Sequence, residues 1–182
     1  LATGSMELLL AQDSYTTMLV DAGRVFAGTL DGTVGLYNRE SGAVLWEHKH
    51  TFDEGVWDVA LAEDGLSVYA TGFSEGQLAS WDLTTGEERF RVDIGAHAYN
   101  IAVGAGRLAV GSYDGRVVVF DRAGALLREF GPFDGAFLDT AFSPDGRYLA
   151  AAGFDQHLRF FDLRNGVELA ADASHDAPIG KV

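Results

Sequence analysis

Residues 70–86 read ATGFSEGQLASWDLTTG, and the same arrangement of small, acidic and aromatic residues occurs three more times in the chain. The other copies are residues 27–42 (AGTLDGTVGLYNRESG), 110–124 (VGSYDGRVVVFDRAG) and 151–166 (AAGFDQHLRFFDLRNG). Each has an acidic residue (Asp31, Glu75, Asp114, Asp155) and, six positions on, an aromatic one (Tyr37, Trp81, Phe120, Phe161), followed by Asn38, Asp82, Asp121 or Asp162. Successive acids are 44, 39 and 41 residues apart, and the aromatics keep the same spacings. A fixed period of this size is the mark of a repeat architecture.

Around each copy lie four short runs of strand length separated by turn residues. The first unit runs YTTMLV, RVFAGT, TVGLYN and AVLWEHKH, with turns at Asp21-Ala22-Gly23, Asp31-Gly32 and Ser41-Gly42. The second runs VWDVAL, SVYATG, QLASWD and ERFRVD; the third YNIAV, RLAVGS, RVVVFD and LLREF; the fourth FLDTAF, RYLAAA, HLRFFD and VELAAD. Asp-Gly and Ser-Gly suit tight connections, because glycine takes a positive φ at no steric cost and the acid or hydroxyl bonds the turn backbone. No segment carries the 3,4-spaced apolar face of an amphipathic helix. A sheet with apolar residues on both faces is buried only by stacking on its neighbours, so the fold predicted is an all-β propeller of four-stranded antiparallel blades. The units span approximately residues 15–55, 56–97, 98–136 and 137–176, and the residues after His175 (DAPIGKV) read as the opening strand of a fifth. Residues 6–12 (MELLLAQ) read as one further strand, and Gly4-Ser5 before Met6 as a cloning scar over residues 1–5, leaving a single domain over residues 6–182.

Ser143-Pro144-Asp145-Gly146, then Asp155 and Phe161-Asp162, together with Trp81-Asp82, resemble the WD40 repeat family over essentially the whole chain. That resemblance implies a rigid, non-catalytic platform for protein partners. It also implies an internal hydrogen-bonded network, of which His97 with Asp114, or Thr71, Glu75 and Trp81, could form a part. Gly28-Thr29-Leu30-Asp31-Gly32 with Asn38, Ser41-Gly42 and Trp46 resemble instead the tryptophan-docking repeats of quinoprotein-like propellers, a group with both dehydrogenases and assembly factors. Rings of the WD40 type usually close with seven blades. The resemblance therefore implies that the chain is part of a longer protein, with residues 6–12 completing a last blade, or that two chains complete one ring. Open strand edges would favour self-association.

Composition narrows the function. The formal net charge is −14, with 11 Arg and 2 Lys, which argues against a phosphate backbone as ligand. No apolar run approaches the ~18 residues of a membrane-spanning helix, and with no cysteine there is no thiolate metal site. Without a basic, apolar leader in residues 1–10 the expected location is cytoplasmic. His48 and His50 fall on one face of an outer strand, but two ligands do not make a metal site. No phosphate loop, nucleophile elbow or calcium loop is present. Neither a cofactor nor catalysis is expected, the alternative being a quinoprotein-like or lactonase-like propeller with a central small-molecule or metal site. The turn acids Asp31, Glu75, Asp114 and Asp155 and the strand-end acids Asp82, Asp121 and Asp162 are expected to hold turn backbone, and Trp81 to fill the blade.

The remaining candidates follow from the WD40 resemblance. The residue early in each first strand and the one before the turn acid face one end of the ring. The former are Trp57, Tyr99 and Leu138, with Thr16 and Gly180 in the flanking units; the latter are Leu30, Ser74, Tyr113 and Phe154. Aromatic side chains on a rigid rim are the usual anchors of protein interfaces, so this end is the expected face for a protein or peptide partner.

Overall fold

The computed structural model describes residues 15–21, 23–74, 76–172 and 175–182. The proposed scar, the strand read at residues 6–12 and Glu75 lie outside the described residues. The described residues form sixteen strands and no helix. The first sheet holds β1 (Tyr15–Val20), β2 (Arg24–Thr29), β3 (Val34–Asn38) and β4 (Val44–His48). The second holds β5 (Val56–Leu61), β6 (Ser67–Gly72), β7 (Gln77–Asp82) and β8 (Glu88–Asp93). The third holds β9 (Ala98–Gly104), β10 (Arg107–Ser112), β11 (Val117–Asp121) and β12 (Leu126–Phe130). The fourth holds β13 (Phe137–Phe142), β14 (Tyr148–Gly153), β15 (Leu158–Asp162) and β16 (Val167–Asp172). Every sheet is antiparallel in simple sequence order, and the inner strands β1, β5, β9 and β13 pack one on the next. These are four consecutive blades of a β-propeller.

The register shows what holds the blades together. One row of paired residues in each sheet faces the next blade: Leu19, Phe26, Leu36 and Trp46 in the first, Ala60, Tyr69, Ser80 and Phe90 in the second, Ala102, Ala109, Val119 and Arg128 in the third. The first row meets Val59, Val68, Ala70 and Trp81 of the second blade in one closed cluster. Tyr69 and Leu78 meet Ile101, Leu108 and Phe120, and Val119 and Phe130 meet Leu149 and Phe161, in the same manner. Burying each large side chain of this kind is worth about 1.5–3 kcal/mol.

The last residue of each row also latches onto the outer turn of the next blade. Trp46 lies on Gly86 and donates its indole N–H to the Leu83 carbonyl at 3.1 Å; Phe90 lies on Gly124; Arg128 lies on Gly166 and donates to the Leu163 carbonyl at 3.1 Å. A Cβ at Gly86 would stand 2.7 Å from the Trp46 ring, so the latch needs a residue with no side chain there. At the opposite end each turn glycine accepts backbone N–H groups from the following connection, Gly32 from Phe52, Gly76 from Ile94 and Gly115 from Phe133.

The fourth blade's corresponding row, Ala141, Ala150 and Phe160, has no described blade against it. Phe160 is 37% exposed although its counterparts Leu36, Ser80 and Val119 are at most 2% exposed, and it lines an apolar trough of about 560 Å³ with Phe142, Tyr148 and Leu169. Among the described residues, the inner edge of this face is engaged by the last residues of the chain. Val182 donates its N–H to Asp139 at 2.7 Å, the relation that Ile101 has to Asp58 at 2.8 Å, and Ile179 donates to the Gly153 carbonyl.

Leu36→Ala is expected to lower stability by about 2–5 kcal/mol, and Phe160→Ala, at the same blade position, by clearly less, as urea unfolding midpoints will show. Gly115→Ala is expected to cost more than either. Its φ is +80°, and the new Cβ would stand 2.0 Å from the Phe133 carbonyl oxygen.

Candidate functional site

All four inner strands carry a β-bulge at the same place. The ladder passes from Val56 with Gly72 to Asp58 with Thr71, skipping Trp57, and it skips Thr16, Tyr99 and Leu138 in the other blades. A bulged residue leaves the alternation of the strand and is re-aimed, here toward the end of the ring where the β6–β7 and β10–β11 turns lie.

Three of the sequence candidates meet there. Trp57 stacks on Phe73 at 4.8 Å between ring centroids and meets Tyr99 edge-on at 5.4 Å, while Tyr99 lies 6.3 Å from Tyr113. Phe73 and His97 complete the patch: His97 stands edge-on to Phe73 at 4.8 Å and 5.5 Å from Tyr113. Trp57 is 44% and Tyr113 60% exposed, and the other three rings are half-buried. Burial, and then the neighbouring Tyr113, raise the Tyr99 phenol above its ordinary value. Leu30 and Phe154 are also exposed, and Ser74 and Leu138 half-buried, but no ring contact among the described residues joins Phe154 to the patch.

His97 thus departs from the internal network that the sequence suggested. Asp114 accepts from Ser112 Oγ at 2.6 Å and from Arg116 Nε at 2.7 Å, while the half-buried His97 packs on the rings of Phe73 and Tyr113, its Nδ1 buried without a partner among the described residues. The connections between consecutive blades instead bury Phe52 and Ile94, and the equivalent Phe133 is half-buried. In the second blade, Thr71 Oγ1 and Ser80 Oγ are buried without a partner among the described residues, and Trp81 packs on Phe26 and Phe52. His48 and His50 also differ from the expected strand pair. β4 ends at His48, whose Nε2 lies 2.7 Å from the Gly86 carbonyl and whose ring stacks against Trp81, and His50 sits in the next connection at φ 51°. Among the described residues no three His, Cys, Asp or Glu side chains are grouped to hold a metal ion.

The repeated carboxylates are engaged by turns. Asp31 accepts from Thr29 Oγ1 and the Thr33 N–H, and Asp155 from the His157 N–H and Arg159. Asp82 accepts the N–H groups of Thr84 and Thr85 and pairs with Arg89 at 2.6 Å; Asp121 accepts those of Ala123 and Ala125; Asp162 accepts that of Arg164 and pairs with Arg147. Inside the ring, Asp58 caps Val59 and Ile101, and Asn100 donates to Thr140 and Asp139. These inner polar groups stitch adjacent inner strands together.

A family model described as outer membrane protein assembly factor BamB (PQQ_2) matches residues 30–127, over half of the chain, and that of the WD domain, G-beta repeat, matches residues 124–162. The chain belongs to the PQQ_2 repeat propellers and is WD40-like over residues 124–162. The Trp46 latch lies within the first match, and the turn built on Ser143 and Asp145 within the second. This WD40-like chain is 29% identical to the human WD repeat-containing protein 36 over 93% of its own length and 20% of that protein. It is 26% identical to the WD repeat-containing protein SL1-17 of Schistosoma mansoni over 77% of its length and 47% of that protein, and 33% identical to the WD repeat-containing protein 1-B of Xenopus laevis over 41% of its length. The chain therefore spans between a fifth and about half of the first two relatives. No helix among the described residues is long and apolar enough to cross a membrane.

The turn carboxylates set the expected pH response. The Thr29 hydroxyl holds Asp31 below the usual carboxylate range, Arg89 does so for Asp82, and the Arg164 N–H does so for Asp162. Each stabilises the fold above the unfolded carboxylate range and loses that contribution as pH falls through its depressed folded value. Asp58 runs the other way, because burial raises it and its ionisation is the costly state. With lowered carboxylates in the majority, the urea midpoint is expected to fall below about pH 4. A midpoint unchanged between pH 7 and pH 3 would contradict this.

Proposed function

We propose that this chain is a non-catalytic interaction propeller that docks a protein or peptide partner on the end carrying Trp57, Phe73, His97, Tyr99 and Tyr113. The observation that carries this is the contiguous, partly exposed aromatic patch. Large exposed rings on a rigid frame lose little conformational freedom on binding, and they are the residues that most often dominate binding energy. The bulges raise Trp57 and Tyr99 out of the ladder, so neither is needed to close the core. The catalytic alternative has less support, since the polar side chains of the inner strands are used in contacts between blades. The PQQ_2 match brings in an assembly-factor role, which is likewise a docking role.

Trp57→Ala combined with Tyr99→Ala is expected to leave the unfolding midpoint nearly unchanged while weakening partner capture by about 2–4 kcal/mol, a factor of roughly 30 or more. Capture from an extract of the source organism, compared between wild type and the double variant with unfolding measured in parallel, checks this. Equal capture by the two proteins would sink the assignment.

A further inference from the structure

The same end of the propeller has a charge pattern that selects among partners. The β2–β3, β6–β7 and β10–β11 turns and the connections that follow each blade meet at this end. Gly32 accepts from Phe52, Phe73 donates to the Gly55 carbonyl, Tyr113 to that of His97 and Phe154 to that of Ala136. This places Asp31, Asp53, Glu54, Asp93 and Asp134, all exposed, around the end that carries the rings. The arginines at this end are neutralised within the chain. Arg116 pairs with Asp114 and Glu129, and Arg159, only 13% exposed in its side chain, pairs with Asp155 and Glu168. Lys49 pairs with Glu47, the His50 ring contacts the Asp31 carbonyl, and the exposed Lys181 acts electrostatically on Asp58, next to Trp57 in the chain.

The aromatic rings add a second preference of the same sign. Their faces are negative, and a guanidinium or ammonium over a Trp or Tyr face gains about 0.5–2 kcal/mol, more when desolvated. The protein already uses this contact at the same end: Arg159 stands over Phe133 at 4.1 Å and Arg91 over Phe52 at 5.2 Å. No cation among the described residues stands over Trp57, Tyr99 or Tyr113 in this way. With a formal charge of −14 on the chain, long-range attraction and short-range stacking both favour the same chemistry.

We propose that the aromatic patch takes an Arg- and Lys-rich peptide segment of a protein partner, its cationic heads placed between the ring faces and the exposed carboxylates of Asp53, Glu54 and Asp134. This rests on the docking function proposed above and adds the partner's chemistry to it.

The test is selection of a displayed random nine-residue peptide library on the full chain, with depletion against the Trp57→Ala, Tyr99→Ala variant. Recovered peptides are expected to be enriched in Arg and Lys over the starting library. A synthesised member should lose about tenfold or more in affinity between 50 and 500 mM NaCl, because salt screens exposed charges. Asp53→Asn with Glu54→Gln and Asp134→Asn should weaken that peptide without moving the unfolding midpoint. Patch-dependent peptides that are uncharged or acidic would overturn the inference and leave the docking function standing. Recovery of no patch-dependent peptide would overturn both.

Discussion

Every part of this molecule depends on one constraint: each four-stranded sheet is apolar on both faces and is covered only by its neighbours. The row Leu19, Phe26, Leu36 and Trp46 closes against Val59, Val68, Ala70 and Trp81, and the next two interfaces repeat the scheme with different side chains. Among the described residues, three of the four buried apolar clusters are shared between two blades. The position of the outer latch shows how much chemical variety this permits. Trp46, Phe90 and Arg128 differ in size and polarity, yet each lies over a glycine of the following outer turn. What is required is close approach, and glycine supplies it.

The same framework accounts for which positions are left free to vary. Hydrogen bonding and burial occupy the repeated residues: the acids hold turns, the in-facing aromatics fill interfaces, and Asp58, Asn100 and Asp139 join the inner strands. The bulge beside these inner residues is itself repeated, but the side chain it re-aims is free to vary from Thr16 to Trp57, Tyr99 and Leu138. Two consecutive aromatic choices, joined by Phe73, His97 and Tyr113, turn a regular feature of the fold into a particular surface. A stack of rigid sheets holds those rings in place, so little ordering remains to oppose binding.

Much of the architecture was legible in the chain because it is written locally. A period near 40 residues, four strand-length runs per period and turns of Asp-Gly or Ser-Gly type are short-range signals, and the antiparallel order follows from them. Trp57, Tyr99 and Tyr113 could be placed at one end by their positions within the repeat. His97 and His48 were harder to place, since each is decided by a partner distant in the chain: His48 by Trp81 and Gly86, and His97 by Phe73. His50 fell outside its strand because β4 ends two residues earlier, at His48, and the chain turns there.

The sequence by itself determined the unit, an antiparallel sheet with turns of known chemistry, because those properties depend on residues within a few positions of one another. It also supplied a formal net charge of −14 for the chain. Only the tertiary structure decided which side chains meet across neighbouring blades, which are raised by a bulge, and which apolar rows are uncovered among the described residues, as at Phe160. The physical reason is that face-to-face packing brings together residues some 40 positions apart in the chain. A local pattern states that a row is apolar, but not what covers it.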